Sequence, residues 1–186
     1  MLTSLVVTIP PALFLVVLFG GGALFRRRNI DMDGAAPIGK AVFVTSKYAI
    51  VLAWAGMVAQ SWGARLSPIR TPGALATGAA VLWLVGFSLL FAGRLGLGDS
   101  FRIGSAKETT RLRVNGLFSF SRNPMYLGVY ATLAAAVLYT LSPAVLVVAA
   151  FIIGIHHRIV LAEEEHLRVV FGDEYADYCR RVRRYV

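Results

Sequence analysis

Long apolar runs are the feature that most constrains this chain. Five segments approach twenty residues with few or no charges, at roughly 3–25, 41–62, 73–93, 124–141 and 143–161. About twenty apolar residues in a helix cross the roughly 30 Å of hydrocarbon in a bilayer. The mean hydropathy of +0.66 agrees with this interpretation. The sequence therefore predicts an all-α fold, a polytopic membrane bundle of about five transmembrane helices.

The basic residues predict how this bundle is oriented. Sixteen of the nineteen Lys and Arg residues, and all ten Asp and Glu residues, fall in the segments 26–40, 94–123 and 158–186. With five spans, these three segments lie on one face, and the positive-inside rule makes that face cytoplasmic. We expect the N-terminus outside, the C-terminus in the cytoplasm, and residence in a prokaryotic cell membrane or otherwise in the endoplasmic reticulum.

The net charge of +9 has two interpretations, a nucleic-acid partner or anionic lipid head groups. Basic loops beside membrane spans commonly meet lipid, so we expect membrane lipids and no nucleic acid among the partners. Glu163 and His166 have the spacing of half a di-iron motif, but that site needs a second such helix and further carboxylates. The single Cys179 excludes an internal disulfide. We expect no metal.

A hairpin is predicted where only Ser142 separates the last two apolar segments. Each arm contains about 18 residues, or roughly 27 Å of helix. The return arm therefore brings Glu163, Glu164 and Glu165 back to the depth of Arg122.

The stretch "SRNPMYLGVY" (121–130) begins the first arm of this hairpin. Asn123 suits a helix N-cap and Pro124 suits the first helical position. The helix start and the Arg122 guanidinium favour an anion, whereas the facing carboxylates favour hydroxyls or a cation. A ligand with both kinds of group fits this pattern. A purely structural ion pair between Arg122 and a glutamate fits it equally well.

The motifs "NGLFSFSRNPMYLG" (115–128) and "EEEHLRVVFGDEYADYCRRV" (163–182) resemble the isoprenylcysteine carboxyl methyltransferase family, whose wider relatives include membrane phospholipid methyltransferases. The matching positions are Gly116, Phe118, Arg122, Pro124, Tyr126, Glu163, Glu164, Leu167, Phe171, Gly172, Tyr175 and Tyr178. The segment "LGDSFRIG" (97–104) looks like the family's approach to its cofactor loop. The resemblance covers roughly 94–186, which would be the catalytic half, after three N-terminal helices in 1–93.

The resemblance implies an enzyme that uses S-adenosylmethionine at the cytoplasmic face. Its methyl acceptor would be a lipophilic molecule from the bilayer, bearing a carboxylate, an amine or a thiol. The implied cofactor-binding residues are Gly116, Phe118, Arg122, Asn123, Pro124, Tyr126, Leu127, Gly128, Glu163 and Glu164. The implied catalytic residues are Arg122, Glu163, Arg181 and Arg184.

Two residues depart from the family pattern. Asn123 stands where many members have His, and an amide cannot titrate. Arg183 stands where members often have Pro. Methyl transfer from a sulfonium to a carboxylate or thiolate needs no strong general base, so catalysis is expected to depend on alignment and anion placement rather than on a catalytic triad.

Two other functions stay open at this point. A sterol-type reductase, which would use NADPH, has a distantly similar C-terminal half. A small transporter or scaffold is the non-enzymatic alternative, although it predicts symmetry between halves and polar residues at mid-membrane.

A stripe of apolar and aromatic residues near the C-terminus recurs at helical spacing. Its members are Phe171, Tyr175, Tyr178, Val182 and Tyr185. With several arginines beside it, the stripe predicts an amphipathic helix that lies on the membrane surface.

Overall fold

The computed structural model describes residues 1–27, 38–97 and 112–186, and these are helical without any strand. The helices are α1 (Leu2–Arg27), α2 (Lys40–Ser61), α3 (Gly73–Leu97), α4 (Pro124–Thr140) and α5 (Pro143–Arg181). A short 3-10 turn, Gly116–Ser119, precedes α4. The predicted all-α bundle of about five helices is confirmed.

Three of these helices are long and apolar enough to cross a membrane. They are α2 from Ala41, α3, and α5, with mean hydropathies of 1.6, 2.1 and 2.2 over their most apolar windows. Residues 2–18 of α1 and all of α4 form shorter apolar helices. The 17 residues of α4 extend about 25 Å, slightly less than a typical hydrocarbon core. Among the described residues, three of the five predicted spans therefore have the full length and apolarity of a membrane span.

An aromatic cluster holds the first three helices against α4. Phe14, Trp54, Trp83 and Phe87 are buried, with ring centroids 4.8 to 6.3 Å apart. Each indole N–H finds a partner on another helix. Trp83 Nε1 donates to the Val7 carbonyl, and Trp54 Nε1 donates to Thr132 Oγ1, both at 3.0 Å. These bonds satisfy polar groups that would otherwise be left unpaired in an apolar core.

Two glycines allow α3 and α4 to touch backbone to backbone. A Cβ atom on Gly128 would lie 2.7 Å from the Gly86 carbonyl oxygen, and one on Gly86 would lie 2.9 Å from the Gly128 carbonyl oxygen. Only glycine fits at such a crossing, as is common where membrane helices pack through small residues. The contact fixes the position of α4 and hence of its first turn.

The predicted hairpin between α4 and α5 is confirmed. Leu141 adopts a left-handed backbone conformation, φ +48°, which ends α4 and reverses the chain. Ser142 is the N-cap residue of α5, and Pro143 occupies its first position. The proline suits this position because the first N–H groups of a helix have no partner within it.

Helix α5 continues well beyond the membrane-spanning length. Its 39 residues extend about 58 Å, and the backbone departs from helical geometry at Gly172, with φ +49° and ψ −123°. After this break, Tyr175, Tyr178 and Val182 are buried and pack with Leu112, Val114 and neighbouring side chains. Three members of the predicted aromatic stripe, Tyr175, Tyr178 and Val182, therefore pack against protein.

We predict that Gly128→Ala destabilises the protein. The new Cβ would overlap the Gly86 carbonyl, and overpacking of this kind costs about 1–3 kcal/mol. Thermal unfolding in detergent measures the effect. Gly154→Ala is the matched control, because it lies in α5 with open space around it, so alanine should leave the melting temperature unchanged or raise it. Equal melting temperatures for the two variants would contradict the close crossing.

Candidate active site

The start of α4 is tied to α5 by a buried, two-pronged ion pair. Arg122 Nε donates to Glu164 Oε1 and Arg122 Nη2 donates to Glu164 Oε2, each at 3.1 Å. The side chains are only 10% and 3% exposed. Arg122 Nη1 also donates to the carbonyls of Cys179 and Val182, at 3.3 and 3.1 Å. The proximity predicted from the hairpin length is confirmed, and every side of the guanidinium is occupied.

Glu164 accepts hydrogen bonds from two further side chains besides Arg122. Asn123 Nδ2 donates to Oε1 at 3.1 Å, and Arg184 Nε donates to Oε2 at 3.0 Å. Burial acts to raise the pKa of Glu164, but the hydrogen bond from Arg184 and the Arg122 guanidinium outweigh it and hold that pKa below its ordinary value. The same bond raises the pKa of Arg184. Glu164 is therefore a carboxylate locked in its charged form.

The residues after α5 fold back over the start of α4, and we call residues 182–186 the tail. The Arg122 N–H donates to the Arg183 carbonyl at 3.0 Å. Ser121 Oγ and Asn123 Nδ2 both donate to the Arg184 carbonyl at 3.2 Å. Asn123 is the N-cap residue by position, but its side chain makes no capping hydrogen bond. The capping role predicted for that side chain is wrong, because its amide nitrogen is committed to Glu164 and the tail.

A second group of polar side chains lies between α2, α4 and α5, and we call Lys47, Tyr126, His156 and Glu163 the inner cluster. Tyr126 Oη donates to Glu163 Oε2 at 3.0 Å. The Tyr126 ring meets the His156 imidazole edge to face, with centroids 5.6 Å apart. Lys47 lies close enough to act electrostatically on both His156 and Glu163.

His156 is the least satisfied member of the inner cluster. It is 6% exposed, and its Nδ1 has no hydrogen-bond partner among the described residues. The other three members are partly exposed. The inner cluster therefore offers a carboxylate, a phenol and a buried imidazole to a ligand that enters between the helices. Sequence reasoning placed only Tyr126 and Glu163 in the site, although the seven-residue step from His156 to Glu163 is a same-face helical spacing.

Several predicted cofactor residues occupy structural positions. Gly116 has φ +64° in the 3-10 turn, and the carbonyl of buried Phe118 accepts a 2.6 Å hydrogen bond from Tyr178 Oη. Pro124 is buried at the first position of α4, and Leu127 is partly buried one turn later. Gly128 faces α3, where its nearest neighbours are Gly86 and Leu90. These residues shape the turn and the helix start beside the two polar groups.

The two arginines predicted near the C-terminus lie in different environments. Arg184 joins the site through Glu164. Arg181 is exposed, and its Nε donates to the Asp177 carbonyl on its own helix, so the structure does not bring it to the site. Residues 98–104 of the predicted approach to the cofactor loop lie outside the described residues.

Comparison with known protein families identifies the family of this chain. A family model for phospholipid methyltransferases matches residues 73–174, more than half of the chain. The chain belongs to the phospholipid methyltransferase family. That family is related to the isoprenylcysteine carboxyl methyltransferases, so the resemblance seen in the motifs is confirmed. No curated protein matches the chain. The matched region includes α3, α4 and most of α5, and therefore both glutamates of this membrane methyltransferase.

We predict that Glu164→Gln destabilises the methyltransferase in a pH-dependent way. Removing one partner of a buried ion pair costs about 3–5 kcal/mol. Since the pKa of Glu164 is lowered by folding, its contribution is present above the unfolded-state pKa of about 4.3 and is lost as the pH falls through the folded-state value. Thermal unfolding should therefore show a large deficit at pH 7 that shrinks below about pH 4.

Glu165→Gln is the matched control for this prediction. Glu165 is 69% exposed and pairs with Arg168 at the surface, where such pairs contribute about 0–1 kcal/mol. Its loss should change the melting temperature little at any pH. A deficit for Glu164→Gln that stays constant with pH would argue against a charged, buried carboxylate.

Proposed function

We propose that this methyltransferase transfers a methyl group from S-adenosylmethionine to a lipid-borne acceptor. Family membership supports methyl transfer over the sterol-type reductase and the transporter or scaffold. The observation that carries the cofactor proposal is that the two adjacent glutamates differ in their partners and in their exposure. Glu164 is enclosed by Arg122 and Arg184, whereas Glu163 accepts a hydrogen bond from one described side chain, Tyr126, and stays partly exposed.

The inner cluster fits the cationic and hydroxyl-bearing parts of this cofactor. When bound, S-adenosylmethionine supplies an electrophilic methyl group on a sulfonium. Glu163 has an oxygen, Oε1, that accepts no hydrogen bond from another described residue, and a carboxylate oxygen suits an ammonium or a ribose hydroxyl. Tyr126 orients that carboxylate. We therefore assign ligand contact to Glu163 and Tyr126.

Arg122, Asn123 and Glu164 receive a different assignment. The Arg122 guanidinium, the Asn123 amide nitrogen and the Glu164 carboxylate bond to one another, to the Cys179 carbonyl and to the tail, so we propose that they position the first turn of α4 rather than contact the cofactor. Arg184 acts with them. Arg181 has no assigned role, because its side chain bonds to its own helix.

The acceptor is proposed to approach from the bilayer between α2, α4 and α5. Lys47 and Tyr126 are partly exposed there, and the surrounding helix surfaces are apolar. A carboxylate or thiolate acceptor needs no proton removed, whereas an amine must lose one during the transfer. Asn123 cannot take that proton, so we assign this task to Glu163 or His156 if the acceptor is an amine.

We predict that Glu163→Gln weakens binding of S-adenosylmethionine at least tenfold and leaves the fold intact. The substitution keeps the shape and the hydrogen bond from Tyr126 but removes the charge that faces the cofactor. Equilibrium dialysis in detergent measures the affinity, and thermal unfolding reports the fold. Glu165→Gln, one residue beyond Glu164 in the same acidic run, should bind the cofactor like the unmodified protein. Equal affinity for the two variants would remove Glu163 from the site.

A labelling experiment tests the acceptor. Membranes containing the protein are incubated with methyl-labelled S-adenosylmethionine, and the labelled product is separated into lipid and protein fractions. We expect label in a lipid-borne product, absent from membranes with Glu163→Ala and retained with Glu165→Gln. Transfer at the same rate in all three preparations would contradict the proposal, as would label confined to water-soluble products.

A further inference from the structure

A polar cavity lies at the end of the bundle opposite the candidate active site. It has a volume of about 380 Å³ and is enclosed by the end of α2, the loop 62–72, the start of α3 and the last turn of α4. Its polar lining comes from Gln60, Arg65, Ser67, Arg70, Thr71 and Tyr139. We call it the loop cavity. Helix α4 separates it from the candidate active site, because that site lies at the first turn of α4 and Tyr139 lies in the last.

The floor of the loop cavity contains an unsatisfied hydrogen-bond acceptor. Gln60 Nε2 and Thr71 Oγ1 both donate to the Tyr139 carbonyl at 2.7 Å. Because a carbonyl accepts only donors, the nitrogen of the Gln60 amide must face it, and the amide orientation is fixed. Gln60 Oε1 is then buried without a partner among the described residues. A ligand that donates a hydrogen bond would satisfy it.

The rim of the loop cavity carries positive charge without compensation. Arg65 and Arg70 are exposed, and neither side chain makes a hydrogen bond or ion pair with a described residue. No Asp or Glu occurs anywhere between residues 34 and 98. Two guanidinium groups on one eleven-residue loop therefore face the cavity without a carboxylate from the segments that build its rim. Planar guanidinium groups match the oxygens of a phosphate in two-pronged geometry.

The position of the loop indicates where such a phosphate comes from. Helices α2 and α3 both have the length and apolarity of membrane spans, and the loop joins their ends directly. It therefore lies at the depth of the lipid head groups. Trp62, 59% exposed at the end of α2, is the residue type that commonly marks this interface.

We propose that the loop cavity binds the head group of an anionic phospholipid, with its phosphate between Arg65 and Arg70 and a head-group hydroxyl donating to Gln60 Oε1. The ligand class is a phosphodiester lipid that carries a free hydroxyl, such as phosphatidylglycerol. This site is independent of methyl transfer, since it shares no residue with the inner cluster or with the Arg122–Glu164 pair.

Native mass spectrometry of the purified protein tests the proposal with defined probes. Phosphatidylglycerol, phosphatidic acid and phosphatidylcholine are titrated in detergent, alongside soluble glycerol phosphate. We expect phosphatidylglycerol to bind most tightly, phosphatidic acid more weakly and phosphatidylcholine at least tenfold more weakly. Equal retention of phosphatidylcholine would overturn the proposal. Binding of glycerol phosphate as tight as that of the lipid would also overturn it, because the ligand would then be a soluble anion.

Variants separate the contributions of the rim and the floor. Arg65→Ala with Arg70→Ala should lose at least tenfold in phosphatidylglycerol affinity, and the Lys pair at the same positions should lose less. Arg113→Ala with Arg158→Ala is the control, since it removes the same charge from exposed positions outside the cavity. If the control loses as much affinity as the Arg65 and Arg70 pair, the site is not in the loop cavity.

Gln60→Met tests the floor. It removes the orphaned acceptor and should abolish the preference for phosphatidylglycerol over phosphatidic acid, while phosphatidic acid still binds. Thermal unfolding of the same variants without lipid shows that each remains folded. A preference that survives Gln60→Met overturns the assignment of the hydroxyl to Gln60.

Discussion

The structure of the site depends on one buried ion pair. Taking a guanidinium and a carboxylate out of water is costly, and it is tolerated only where the remaining hydrogen-bonding groups are satisfied. Arg122 and Glu164 meet this condition by recruiting Asn123, Arg184 and the carbonyls of Cys179 and Val182. The start of α4, the part of α5 from Glu164 to Cys179 and the tail are thereby joined into one unit.

Helix geometry explains why two adjacent glutamates have different surroundings. Successive residues in a helix point about 100° apart, so Glu164 faces the start of α4 while Glu163 faces Tyr126 and α2. Rigid support on one side leaves the neighbouring carboxylate correctly placed and still accessible. This arrangement suits the role proposed for Glu163, a partly exposed ligand-binding group beside a locked supporting structure.

Much of this geometry was predictable because its causes are local. Pro124 and Pro143 mark helix starts, and the equal arms of the hairpin bring Arg122 and Glu164 to the same depth. The crossing at Gly86 and Gly128 was not predictable, since it depends on which faces of α3 and α4 meet. His156 was within reach of sequence reasoning, since it lies seven residues before Glu163 on the same face of α5.

Some sequence patterns do not show what the side chains pack against. The stripe around Tyr175 and Tyr178 would look the same whether it met lipid or protein, and only the break at Gly172 decides between them. The loop cavity likewise depends on a backbone carbonyl, at Tyr139, that no sequence pattern reveals. Sequence reasoning succeeded where side chains act through spacing, and it failed where the decisive group belongs to the main chain or to a distant helix.

In the tail, residue 183 contributes to the site through its main chain and not through its side chain. Arg183 contributes its carbonyl to the Arg122 N–H, and its own N–H donates no hydrogen bond to a described residue. A proline, the residue that the motif resemblance implies at this position, would supply the same carbonyl. Substitution there is therefore nearly silent for the fold, so a mismatch at residue 183 is weak grounds for separating this enzyme from its relatives.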